Sequence, residues 1–284
     1  MNVLLFVVII LSILTQHLYA EDKKLVWSDE FDYDGLPDKT KWGYEEGFVR
    51  NKEKQYYTKA RKQNARVENG MLIIEGKKEK FKNINYKKDS KKWQENIKYA
   101  NYTSVSLITL NKVSWKYGRI EVKAKLPKGK GVWPAIWMMG AIRSTGVRWP
   151  QCGEIDIMEY VGKDPNRIHG NAHYPVNGKH KSSGGKLKIL KPYSDFHIYA
   201  VEWHDNRIDY FVDKQKYFTF QIDKAGKGKN NPFRKPFYML INLALGGNWG
   251  GPIDDNIFPQ KFLVDYVRVY ELKKSKLEEP SDKK

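Results

Sequence analysis

Three carboxylates fall within one short run, Glu154-Ile155-Asp156-Ile157-Met158-Glu159, preceded by Gly153 and followed by Tyr160-Val161-Gly162. Isoleucines alternating with acids are the pattern of a strand with one polar face. On a regular strand Glu154 and Asp156 share that face, and Glu159 points to the other side. A bulge at Ile157-Met158 brings Glu159 back, because one extra residue resets the alternation. The two glutamates are then about four strand steps apart, roughly 13 Å between Cα atoms at ~3.3 Å per residue. Side chains reaching inward bring the carboxyl groups to ~5 Å, the spacing of a retaining rather than an inverting glycosidase. Acids along a strand ordinarily mark a solvated face. Such a face gains nothing from crowding, whereas a site that needs one carboxylate ionised and another protonated does, since like charges push pKa values apart.

Tryptophans surround this run. Trp133 and Trp137 flank Pro134-Ala135-Ile136, Trp149 stands shortly before the acids, and Trp249 sits in Gly246-Gly247-Asn248-Trp249-Gly250-Gly251. Indole offers an apolar face and one N–H donor, which suits the C–H face and hydroxyl rim of a pyranose. Glycines on both sides of Trp249 leave it little local packing and predict exposure. Trp27, Trp42 and Trp203 are assigned to the core.

Period-two alternation recurs along the chain and predicts strands at Val67 to Glu75, Gly118 to Leu126, Phe196 to Trp203, Ile208 to Val212, Phe237 to Leu245 and Leu263 to Tyr270. Gly and Pro at Pro127 to Gly131, Gly178 to Gly185 and Gly246 to Gly251 predict turns or longer loops. No stretch has comparable helical periodicity. Many antiparallel strands without helices predict an all-β fold, a two-sheet β-sandwich of jelly-roll type with a concave substrate cleft.

No Pro/Ser-rich linker or repeat divides the 284 residues, so one domain is expected over 21–272. Met1 to Ala20 carries no charge and has an apolar stretch from Val3 to Leu14, which reads as a secretory signal cleaved after Ala20; the chain would then be secreted. The segment lacks the usual early lysine or arginine, so retention as a membrane anchor is the alternative. Lys273 to Lys284, of mixed charge with Pro280, reads as a disordered tail. Cys152 is the only cysteine, which excludes an internal disulfide; it reads as a buried, inert thiol.

The net charge of +18 raises the question of nucleic acid. No recognition helix, zinc-finger spacing or single-strand-binding motif accompanies it, so that class is set aside. Part of the excess lies in Lys77 to Lys98, nine lysines against Glu79, Asp89 and Glu95, a composition that suits a solvated loop or attraction to an anionic polysaccharide.

Gly153 to Glu159 resembles the bulged E-x-D-x-x-E signature of glycoside hydrolase family 16. The resemblance extends to Trp27-Ser28-Asp29-Glu30-Phe31, Asn51 to Thr58, Tyr117 to Glu121, Lys128 to Met138, Gly246 to Gly251 and Asp265 to Tyr270. Within the family, the Trp-Pro-Ala-x-Trp run and the Asn-Trp-Gly-Gly loop are most similar to laminarinase-type endo-1,3-β-glucanases. The resemblance implies that Glu154 is the nucleophile, Glu159 the acid and then base, and Asp156 the residue that orients them. It implies a β-glucan polysaccharide in a cleft lined by Asn51, Trp133, Trp137, Trp149, His173 and Trp249, and a monomer that needs no cofactor for its chemistry. It also implies a structural calcium on the convex side, held by backbone oxygens near Glu30 and Gly70 and by the Asp265 carboxylate. Ser106 stands where relatives commonly carry an arginine. A galactan hydrolase of the agarase or carrageenase kind, a non-catalytic glucan-recognition protein and a transglycosylase are the alternatives. The recognition reading is disfavoured because both glutamates are present.

Overall fold

A computed structural model describes residues 23–272, so the signal-like Met1 to Ala20 and the tail from Lys273 lie outside the described residues. Its strands, in chain order, are β1 (Lys23–Asp29), β2 (Gly43–Glu45), β3 (Gln55–Tyr57), β4 (Ala65–Glu68), β5 (Met71–Lys82), β6 (Tyr99–Ser104), β7 (Ser106–Ile108), β8 (Gly118–Lys125) and β9 (Val132–Gly140). There follow β10 (Glu154–Glu159), β11 (Arg167–Val176), β12 (Lys179–Lys188), β13 (His197–Trp203), β14 (Arg207–Val212), β15 (Gln215–Gln221), β16 (Phe237–Leu245) and β17 (Gln260–Leu272). Short helical turns interrupt them, among them the α-helical α1 (Trp93–Asn96) and α2 (Gly247–Gly250). The outer sheet runs β15-β14-β13-β8-β17-β5-β6-β3, with β1 on β17 and β4 on β5; the inner sheet runs β12-β11-β10-β9-β16-β7-β2. The sandwich expected from the alternation is therefore present.

Inner-sheet strands send alternate side chains to two different places. Val132, Ile136 and Met138 of β9 and Phe237, Met239, Ile241, Leu243 and Leu245 of β16 enter the core between the sheets, where they meet Ile120, Val122 and Ala124 of β8 and Val264, Val267 and Val269 of β17. The intervening residues, among them Trp133, Trp137 and Asn242, face the cleft. Strand β10 keeps this rule only by breaking its own alternation: Ile155, Ile157 and Met158 are all in the core. Against β9, Asp156 pairs with Trp137 and Met158 with Ile136, so Ile157 is the extra residue of a bulge at the expected place.

Two strand readings need correction. Val67 to Glu75 is not one strand but the hairpin β4–β5, turning at Asn69 and Gly70 with φ of 54° and 71°. Gly178 to Gly185 is not a loop. It belongs to the hairpin β11–β12, which turns at Asn177-Gly178, so that Gly184 and Gly185 lie inside a strand. Both turns are Asn-Gly with positive φ at both positions, the pair that a two-residue hairpin favours.

The basic segment Lys77 to Lys98 carries β5 beyond the sandwich, turns through α1 and returns on β6. Its underside holds a small apolar cluster in which Phe48, Tyr56 and Ala100 pack with Phe81, Trp93 and Ile97. Most of its lysines are exposed. The segment thus supports the loop that follows β2, one wall of the cleft.

Truncating buried aliphatics of this size leaves cavities that cost about 2–5 kcal/mol. Ile155→Ala and Ile157→Ala should therefore lower stability to denaturant by similar amounts. Because Ile157 anchors the bulge that aims Glu159, its turnover should fall well below that of Ile155→Ala, measured at a temperature where both variants are folded. Equal residual turnover would show that the bulge does not depend on the Ile157 side chain.

Candidate active site

Directly paired residues of an antiparallel sheet share a face, so the cleft floor can be read as rows across the inner sheet. One row is Glu45, Ser106, Asn242, Ala135, Glu159 and His169; the next is Ile108, Leu240, Trp137, Asp156, Asn171 and Gly184; a third is Tyr238, Met139, Glu154, His173 and Ser182. The bulge puts the three acids on successive rows of one face. They line a cleft of about 560 Å³ with Asn51, Trp133, Trp137, Trp149, His173 and Trp249, so the expected cleft residues are brought together. The floor continues with Arg50, Glu53, Arg143, Asn171, His180 and Asn242.

Each acid has different partners. Glu159 receives the Trp133 indole N–H at 3.1 Å and the Asn171 amide N–H at 3.1 Å, one on each oxygen. Asp156 lies 3.0 Å from His173 Nε2, and Glu154 lies 3.9 Å from the same nitrogen. Burial raises all three carboxyls above their ordinary range, and their mutual repulsion adds to it. Glu159 is pushed up to about 7, by burial first and by the charge of Glu154 second, while its two donors hold it down. Glu154 is pushed up to about 8, by burial first and by the charge of Asp156 second, and His173 and Arg50 only partly oppose the rise.

Residues 52–268 match the profile of glycosyl hydrolases family 16. The chain belongs to that family. It is 43% identical over 258 residues to a beta-glucanase of Rhodothermus marinus, a match covering 87% of this chain and 85% of the relative. Its fold superposes on the laminarinase structure from the same organism with a TM-score of 0.75 at 42% identity, over 89% of this chain and 98% of that one. It also superposes, with a TM-score of 0.83 at 39% identity over 89% and 92% of the two chains, on a structure from work on endo-acting O-glycanases by which human gut bacteria initiate mucin breakdown.

The structure places the aromatic residues of this family 16 cleft in distinct settings. Trp249 is only partly exposed, contrary to its glycine-rich surroundings: it packs edge-on between Trp133, at 5.3 Å, and His169, at 5.0 Å. Trp137 lies on the floor with its N–H given to Asn242 at 2.7 Å and its ring 4.9 Å beneath the Arg50 guanidinium, so it is not a free stacking plane. Trp149 is the exposed one, 4.4 Å from the His180 ring, and His180 in turn lies 2.9 Å from His173 Nδ1. Asn51 donates to Glu53 at 3.2 Å, and its carbonyl receives Asn248 N–H at 2.9 Å, which ties this wall to α2.

Ser106 finds its explanation here. Its hydroxyl donates to Glu45 at 2.6 Å, and Glu45 forms an ion pair with Arg50. An arginine from the loop after β2 thus enters the cleft beside β7. Arg50, Asn171 and His180 escaped the sequence reading. His180 was recoverable from the Asn177-Gly178 turn, which sets Pro175 opposite it; Arg50 and Asn171 depend on pairings across the sheet.

Cys152 is buried, and burial raises its thiol, in keeping with an inert role. The positions named for calcium do meet along β17, where β5 pairing ends and β1 pairing begins. The Asp265 carboxylate is 2.6 Å from Lys123 Nζ and would have to exchange that partner for a metal, whereas the ion pair of the Glu30 side chain with Arg268 does not involve the backbone oxygens named for calcium.

A carboxyl held above its ordinary value binds its proton more tightly folded than unfolded, so its contribution to stability falls as pH rises past the unfolded value of about 4.3. Removing charge from the cluster should then stabilise the protein. Glu154→Gln is expected to raise Tm by a few degrees at about pH 8 and to match the parent at about pH 4, by calorimetry. A lower Tm at the higher pH would show that the acids attract more than they repel.

Proposed function

We propose that the chain is an endo-acting β-glucan hydrolase that cleaves 1,3-β linkages with retention of configuration, and that it works outside the cytoplasm. The observation that carries the reading is the bulge that sets Glu154, Asp156 and Glu159 on one buried face of an open cleft, with two N–H donors on Glu159 and His173 beside the other two. The resemblance to a beta-glucanase and a laminarinase supports the polymer, and the uncharged apolar run from Val3 to Leu14 supports export.

In the first step Glu159 passes its proton to the glycosidic oxygen while a Glu154 oxygen bonds to the anomeric carbon and the leaving sugar departs. In the second, water gives a proton to Glu159 and its oxygen displaces Glu154 from the sugar. A value of about 7 leaves Glu159 substantially protonated at neutral pH, as the first step requires. Glu154 is itself pushed up to about 8, by burial first and by the charge of Asp156 second, with His173 and Arg50 opposing; its role as nucleophile therefore rests on its place in the cleft and on the family resemblance, not on this shift. Asp156, buried between them in the middle row, orients both.

Proton NMR of the first product from laminarin should show the β-anomer before mutarotation; initial α-anomer would exclude a covalent intermediate on Glu154. Glu159→Ala should lose polysaccharide cleavage by several orders of magnitude. It should retain adduct formation from an aryl laminari-oligosaccharide whose phenol leaves without a proton, whereas Glu154→Ala should form no adduct with either, by rapid-quench mass spectrometry. An adduct in Glu154→Ala would overturn the roles.

A second reading keeps the reaction and changes the polymer. The superposition on the O-glycanase-related structure favours a mucin O-glycan. Reducing-end release on laminarin, mixed-linkage glucan, agarose, carrageenan and mucin O-glycans separates the two.

A further inference from the structure

Asn171 occupies a place built for it. It stands in β11 directly across from Asp156 on one side and Gly184 on the other. Its backbone carbonyl accepts the Tyr210 hydroxyl at 2.8 Å from the core side, which holds the strand in place beneath the cleft. Its side chain leans over Gly184 so closely that a Cβ on that residue would lie 1.9 Å from Asn171 Oδ1. In this position the amide N–H reaches diagonally to Glu159 Oε2 at 3.1 Å. The glycine inside β12, which weakens a strand, is what lets the amide sit there.

We propose that Asn171 is a positioning residue that makes Glu159 a stronger acid, and that Gly184 exists to admit it. The inference rests on Glu159 being the acid and base of the proposed hydrolysis. Glu159 begins the first step protonated and ends it as a carboxylate. A donor aimed at Oε2 stabilises the carboxylate over the acid, so it favours release of the proton to a poor leaving group. The Trp133 N–H does the same at Oε1, but Trp133 is also a wall of the cleft; Asn171 reaches the acid from behind, through the neighbouring strand. The other charged or titratable groups facing Glu159 are Glu154, Asp156, His169, His173 and Tyr217; Asn171→Leu and Gly184→Ala add no charge beside any of them, whereas the charge of Asn171→Asp also faces Asp156 across the strand. The second step feels the opposite effect, since a stronger acid is a weaker base, so the residue's benefit belongs to cleavage of sugar–sugar bonds.

The test compares Asn171→Leu, Asn171→Asp and Gly184→Ala with the parent. Removing the donor should move the alkaline limb of kcat/KM on laminarin upward by about one pH unit. Asn171→Asp, which adds a like charge, should move it further. Gly184→Ala keeps the asparagine but displaces its amide, so it should reproduce the shift of Asn171→Leu. At about pH 6 each variant should lose about tenfold in first-step rate on a sugar leaving group and lose little on an aryl glycoside with an acidic phenol. A merely structural role would lower both substrates together and leave the limb in place, and that result would overturn the proposal. If one variant fails to fold, the others carry the comparison, because they perturb the same contact from two strands. Should Glu159→Ala keep the parent's alkaline limb, the underlying assignment of Glu159 fails instead, a result distinct from an unmoved limb in the Asn171 and Gly184 variants.

Discussion

Repulsion among three buried carboxylates is the constraint around which this molecule is organised. Burial alone would keep Glu154, Asp156 and Glu159 neutral, and free exposure would leave all three ionised; neither state supplies a nucleophile beside an acid. The three acids meet this constraint in unequal surroundings. His173 and the field of Arg50 partly oppose the rise at Glu154, two N–H donors oppose it at Glu159, and Asp156 lies deepest, with His173 Nε2 3.0 Å away. The apolar side of β10 fixes the geometry: Ile155, Ile157 and Met158 are locked in the core, so the acids cannot relax away from one another.

The remainder of the cleft follows from strand register. A bulge shifts everything beyond it by one residue, and the rows across the inner sheet then determine which side chains meet. Glu159 falls level with Ala135 and Asn242, where a small residue leaves space; Asp156 falls level with Trp137 and Asn171; Glu154 falls level with His173. Arg50 enters from a loop and completes the floor by covering Trp137. The same register places Ser106 beside Glu45, so that a short hydroxyl helps hold the carboxylate that pairs with Arg50.

How much of this could be read from residues alone depended on range. The bulge was legible because Ile157-Met158 is an apolar pair inside an alternating run, a local violation with one geometric remedy. The central strands β8, β14 and β16 were legible for the same local reason. Hairpins were not: Asn69-Gly70 joins two strands so tightly that Val67 to Glu75 keeps an unbroken apolar rhythm, and Gly184-Gly185 looks like a turn although it is a strand thinned to let neighbours approach. Trp249 was misjudged since its packing partners, Trp133 and His169, come from distant strands. Asn171 and Arg50 act through contacts that sequence spacing does not encode.

The small cluster beneath α1 has an effect of its own. Phe48, Tyr56, Ala100, Phe81, Trp93 and Ile97 form a core separate from the one between the sheets, and the wall that carries Arg50, Asn51 and Glu53 begins next to Phe48. Two cores of unequal size open with unequal free energies. The lesser one can come apart while the sandwich stays closed, taking the wall from the cleft and leaving the acids where they were. Warming would then loosen the β5-β6-β3 end of the outer sheet first, and the cleft would lose a wall before the sandwich unfolds.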